Sequence, residues 1–234
     1  MRAPVRTVMC VALFGFMHGI GPVQAGSFSD FPAPERSRVD VVGVDMRLNG
    51  IRMSAWELHS ELGPREVLDY YVQHWGDSDP ERPGYTLVPM GDWQLLTHVD
   101  EPAGLTYTVQ VRPDDAGAFA LLGVSDLLAG GGRPPAELAA DFPVLGGTTV
   151  ESVLETQEVG WTARTITASN RRSVTANIAH YTKSLGEDGW VVESSVQGRS
   201  GSAALSARRG NDSLSVTVFE QDDATRTIAV WEAR

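Results

Sequence analysis

Four histidines lie beyond the N-terminal leader, at 59, 74, 98 and 180, and a metal site with imidazole ligands would have to draw on them. Their spacing argues against it. None stands four residues from another, so no helix face carries two imidazoles, and structural metal sites need clustered ligands. Each reads as a surface or helix-end residue, with His74 near a helix C-terminus, where a cation is favoured. Gly198-Arg199-Ser200-Gly201-Ser202 resembles a nucleophile elbow, but Ser202 stands where the pattern needs glycine, and strand-forming sequence flanks it on both sides. It reads as a hairpin turn. The Gly-rich run 129–135 lacks the Gly-Lys-Ser/Thr that holds phosphate and magnesium. The acidic loop 77–84 lacks the ligand spacing of a calcium loop. Asp114-Asp115 and Asp222-Asp223 fall at hairpin turns, where neighbouring carboxylates lack the burial or close opposition that splits pKa values for acid/base work. The sequence therefore assigns no catalytic residue, no cofactor and no metal ligand.

Aromatic residues remain as a means of recognition. Of six tryptophans, Trp75 and Trp190 fall at positions expected in a core. Trp93, which pairs with Ala203 in the repeat, and Trp231, near the C-terminus, are the candidate contact aromatics, of the kind enriched where proteins bind one another, set against the favoured reading of core or edge packing.

The leader fixes the compartment. Arg2 and Arg6 precede an apolar run from Val8 to Met17, and Pro22 and Val23-Gln24-Ala25 supply a break and a small-residue cleavage site. Residues 1–25 thus read as a secretory signal peptide. Its apolar run is far shorter than the roughly 20 residues a membrane span needs. No later run is long enough either, so no transmembrane segment is expected after cleavage. Cys10 sits too early for a lipid-attachment site, and it is the one cysteine of the chain. The mature protein then has no disulfide, no thiol nucleophile and no thiolate metal ligand. The formal charge is −11, from 19 basic and 30 acidic residues, and loss of Arg2 and Arg6 makes it more negative. That field repels nucleic acid and anionic membrane surfaces.

The elements that position these residues come twice. Around Asn49-Gly50, apolar residues alternate on both sides, and that dipeptide suits the two positive-φ positions of a hairpin turn. Leu68, Tyr71 and Trp75 then mark one face of a helix over 63–76, with Pro64 near its start and Gly76 in a left-handed closing position. Strands are expected at 85–90, 93–99, 105–112 and 118–125. The order then recurs: two strands around Val159-Gly160 within 149–169, a helix over 170–186 capped by Asn170 and closed by Gly186, and strands at 190–197, 202–208, 213–220 and 225–231. Leu68, Tyr71, Trp75 and Gly76 match Ile178, Tyr181, Leu185 and Gly186 at a common offset of 110, and Asp-Phe-Pro at 30–32 recurs at 141–143. Ordered matches at equivalent structural places are the mark of internal duplication. The predicted fold class is α+β, a tandem duplication of a ββαββββ unit, each copy a mostly antiparallel sheet packed by one helix. The expected division is a first unit at 26–126 with an extended lead, a Gly/Pro linker at 127–140, and a second unit at 141–234. Asp-Phe-Pro marks the entrance to each unit, with Phe31 and Phe142 expected to tuck against its edge.

An exported, non-enzymatic protein that binds another envelope or secreted protein follows as the leading function, periplasmic if the cell is Gram-negative. The contact would use a sheet edge, the groove between units, or both. The alternative is a small-ligand or lipid-binding protein with a cavity between helix and sheet. A periplasmic enzyme whose carboxylates and histidines converge only in three dimensions ranks below both.

Overall fold

The computed structural model describes residues 31–76, 84–126, 130–158, 160–198 and 201–234. The leader at 1–25 with Cys10, most of the acidic loop 77–84, residues 127–129 and Arg199-Ser200 lie outside the described residues. Among the described residues the class is α+β, a 12-stranded sheet with three helices. In chain order these are β1 Ser37–Leu48, β2 Ile51–Ser60, α1 Pro64–Trp75, β3 Tyr85–Met90, β4 Trp93–Asp100, β5 Leu105–Asp114, β6 Gly117–Ser125, α2 Pro135–Leu138, β7 Thr149–Glu158, β8 Trp161–Asn170, α3 Val174–Glu187, β9 Val191–Gln197, β10 Ser202–Arg209, β11 Asp212–Gln221 and β12 Ala224–Ala233. The strands lie in the order β3-β4-β5-β6-β2-β1-β7-β8-β12-β11-β10-β9, and their pairing is antiparallel.

Local sequence accounts for the element ends. Asn49 and Gly50 have φ of 52° and 82°, the two positive values that the β1–β2 turn requires. β1 begins at Ser37, and its register against β2 shifts on both sides of Gly43. A Cβ at Gly43 would stand 2.5 Å from Met46 Sδ, so glycine lets the Met46 side chain fold back onto the bulge.

The helix caps differ from the expected ones. Asn170 ends β8, and the N-cap of α3 is Ser173, whose Oγ accepts from the Ala176 N–H at 3.2 Å. Asn170 instead exchanges two side-chain hydrogen bonds with buried Asn177, at 2.7 and 3.1 Å. Gly186 lies inside α3, which closes at Gly189 (φ 81°). There the Trp190 N–H donates to Leu185 O at 2.9 Å and the Gly189 N–H to Gly186 O at 3.2 Å, the paired bonds of a Schellman motif. Gly76 caps α1 with φ of −59°, so it is not left-handed.

Two apolar cores form. One gathers Leu58, Val67, Tyr71, Leu96, Val109 and Leu122 around α1, and the other gathers Val153, Ile166, Tyr181, Leu185, Val216 and Ala229 around α3. Paired residues of neighbouring strands share a face. The partner chain Arg52↔Arg47↔Glu155↔Arg164 therefore links the Trp56–Leu58 face of β2 to the Ile166 face of β8. Both long helices thus cover the same face of the sheet. Phe31 and Phe142 are buried in the two cores, not set at their edges. Phe31 packs against Trp56, Tyr71, Trp75 and Tyr107, and Phe142 against Tyr181.

The segment read as a linker carries α2 and, at Ala139, a buried residue. Its Arg133 N–H donates to Asn49 O at 2.9 Å, which ties it to the β1–β2 turn.

Candidate functional site

Trp231 lies on β12 opposite Arg164 of β8 and Leu214 of β11, on the helix-covered face. The Schellman turn after α3 brings Trp190 to it. The two indoles meet edge to face, with centroids 5.3 Å apart and planes at 81°. Arg209, the last residue of β10, reaches into the corner between them, its guanidinium carbon 4.6 Å from the Trp190 ring centre and 5.4 Å from that of Trp231. Arg164 lies 4.7 Å from the Trp231 ring centre. Four side chains from β8, β10, β12 and the α3–β9 turn thus form one cation–π cluster.

The two arginines are held very differently. Arg164 is 18% exposed and bridges both Asp141 oxygens at 2.7 and 2.8 Å while donating to Leu138 O at 3.0 Å. That is a forked, charge-assisted anchorage. Arg209 is 40% exposed, and its polar contacts are long: 3.4 Å to Asp188 O and 4.0 Å to Asp212 Oδ2. Stacking on the indoles is its main tether.

Trp231 also lines two clefts. One, of about 360 Å³, opens beside Phe142, Leu185, Asp188, Trp190 and Arg209. The other, of about 380 Å³, lies along the join between β1 and β7–β8 and is lined by Asp45, Arg47, Glu155, Gln157 and Arg164. Its floor is the seam of the sheet, where β1 and β7 pair only at Arg47↔Glu155 and Leu48↔Leu154. Asn49 extends that seam: its N–H donates to Val153 O and its Oδ1 accepts from the Val153 N–H, both at 2.8 Å. Arg52 and Asp45 form an ion pair beside it.

The structure does not bring Trp93 to this place. Trp93 is on β4 with the register parity opposite to buried Leu96, so it faces the side without helices. It meets Phe119 edge to face at 5.9 Å, and Arg112 lies 5.2 Å from both ring centres. His59 completes this patch against Phe119 at 5.2 Å.

The other histidines are dispersed. His98 stacks on Trp75 at 5.3 Å and 7° and hydrogen-bonds Gly84 O, half-buried beside the first core. His74 stacks on Tyr70, and His180 adjoins Tyr181. Among the described residues no three His, Cys, Asp or Glu side chains come close enough to hold a metal ion. The Asp-Asp-Ala copies do not occupy the same turn positions: Asp114 pairs with Gly117, whereas Asp222 and Asp223 are themselves the turn, with φ of 51° and 62°.

Trp231 is legible in the sequence as a candidate, whereas Arg164, Arg209 and the role of Trp190 beside it are not. Their positions, 164, 190, 209 and 231, share no short-range spacing, and only the strand order assembles them.

No helix among the described residues is long and apolar enough to cross a membrane. No family model matches the chain, and no curated protein matches it. Among solved structures, the apo structure of the immunity protein TplEi of T6SS from Pseudomonas aeruginosa aligns with 86% of this chain and 83% of its own at 8% identity. Its TM-score of 0.27 is too low to carry any argument about fold or function.

Proposed function

We propose that this is an exported, non-enzymatic protein that binds another envelope or secreted protein by accepting one of its segments as an added strand. The observation that carries the reading is the outer strand β9. It has a neighbour on one side only, and its sequence, Val-Val-Glu-Ser-Ser-Val-Gln, has neither proline nor lysine. Val191 and Val196 are 67% and 61% exposed. Natural sheets blunt their edges with charge, proline or bulges, and β9 has a charge and a bulge together at Glu193, which is tied to Arg208; beyond it residues 194–197 pair regularly with β10 and leave an uncharged edge that can template another chain. The opposite edge, β3, carries Pro89, which has no N–H to offer, so β9 is the better acceptor. Export rests on residues 1–25, and in a Gram-negative cell the protein would act in the periplasm.

The two halves are read as copies of one ββαββββ unit, 26–126 and 141–234, with 127–140 between them. Support comes from the matching element order and from Tyr71 and Tyr181, each fully buried at the same helical position.

The test is capture of partners from envelope extract by the mature protein and by Val196→Lys. A lysine on this exposed edge position leaves the cores untouched and repels an incoming strand. The variant should melt as the wild type does and lose the enriched partner. Equal enrichment by both would overturn the edge as the docking strand.

A further inference from the structure

We infer that the corner between Trp190 and Trp231 is an acceptor site for a cationic side chain of a partner, and that Arg209 occupies it as an exchangeable internal stand-in. Three observations converge. First, the corner already holds a guanidinium against both indole faces, at 4.6 and 5.4 Å, so its shape and electronics fit a planar cation. Second, that occupant is weakly fixed. Its contacts to Asp188 O and Asp212 are 3.4 and 4.0 Å long, whereas neighbouring Arg164 is locked by Asp141 at 2.7 Å. An arginine that served only to brace the fold would be expected to have the anchorage of Arg164. Third, the charges suit a cation. Asp188 lines the cleft of about 360 Å³ beside Arg209, and Asp212 stands 4.0 Å from the Arg209 guanidinium, while the charge of Asp141 is taken up by Arg164. The net charge of −11 also draws cationic partners toward the molecule.

The occupant assigned is an arginine side chain of the bound protein. It takes the place against the indoles while Arg209, at the end of β10 beside the Gly210 turn (φ 61°), swings to solvent. This natural occupant rests on the protein-binding reading above, whereas the chemistry of the site does not. An incoming arginine must displace Arg209, and that tethered side chain competes at a high effective concentration.

The test uses the mature full-length protein and N-acetyl-L-argininamide as the probe, followed through the indole N–H resonances of Trp190 and Trp231. In Arg209→Ala the probe should shift both signals saturably, with a Kd about tenfold or more below the wild-type value, because the tethered competitor is gone. Arg209→Gln should behave the same way and guards against a folding defect in the alanine variant. Asp188→Asn, added to either, should weaken the probe severalfold. Equal response of wild type and both Arg209 variants would overturn the proposal, as would no response in any. Tighter binding of tetramethylammonium than of the argininamide would overturn the assignment to an arginine side chain. The probe does not touch β9, so Val196→Lys leaves these titrations unchanged, and loss of the edge reading would not imitate failure of this one.

Discussion

Tyr71 shows how one side chain joins the lead segment to the core. Its ring is fully buried, and its hydroxyl donates to Pro32 O at 2.8 Å, which holds the Phe31-Pro32 segment over the helix. Burial pushes its pKa well above the ordinary value of 10.0, and the neighbouring charge of Tyr70 raises it further. Tyr181, its counterpart on α3, is raised too, by burial, with the hydroxyl bond to Thr227 acting in the opposite direction. The sign of the pH effect follows. The unfolded chain gives up these protons first, so the stabilisation is complete below the unfolded value near pH 10 and is lost as pH rises above it. Urea midpoints should therefore be flat up to about pH 9.5 and fall above it. Tyr71→Phe should cost about 1 kcal/mol at neutral pH through the lost hydrogen bond, and Tyr71→Phe/Tyr181→Phe should flatten the alkaline fall. An alkaline fall as steep in the double variant as in the wild type would contradict this.

At the scale of elements, α3 and the segment before β7 lock together through Phe142. Its ring is 3% exposed and meets Tyr181 at 5.5 Å, while adjacent Asp141 holds Arg164. Phe142→Ala should destabilise the second half by about 3–5 kcal/mol, the usual cost of emptying a buried phenylalanine site. Hydrogen exchange should show it as lost protection in α3 and β10–β12 with α1 and β5 unchanged; equal loss in both halves would refute local docking.

Much of this level was legible in the sequence. Strand alternation, the Asn49-Gly50 turn and the helical stripe of Leu68, Tyr71 and Trp75 are local patterns, and the strands and long helices lie within a few residues of their expected spans. The capping errors were local as well. Asn170 and Ser173 both suit a helix start, and what decides between them is the partner Asn177, which buries the Asn170 side chain in a reciprocal amide pair. Pairing across the chain leaves no such mark. Nothing near residue 48 announces that Leu48 will face Leu154, or that three strands and a turn will build the cluster around Trp231.

At the scale of the molecule, the described residues form two apolar cores on one sheet, and the strand pairing that joins them is short. β1 and β7 share two register positions, the principal apolar cores are separate, and Asn49 adds hydrogen bonds across the join. Asn49 closes its own hairpin at φ 52°, exchanges two hydrogen bonds with Val153 and accepts a third from Arg133. Val153 is fully buried, so its N–H depends on the Asn49 side chain. Leaving such a donor unpaired costs about 1–3 kcal/mol. Alanine at this position adds a left-handed conformation costing roughly 1–2 kcal/mol, which glycine does not incur. Asn49→Gly therefore isolates the seam bond, and Asn49→Ala adds turn strain within the first half. Calorimetry of the wild type should give a calorimetric enthalpy above the van't Hoff value, since halves coupled through so small a join do not unfold as one unit. Asn49→Gly should widen the gap between the two transitions, and Asn49→Ala should in addition lower the transition of the first half. A single transition with equal enthalpies in all three proteins would mean that the sheet unfolds as one continuous unit and that the seam transmits stability in full.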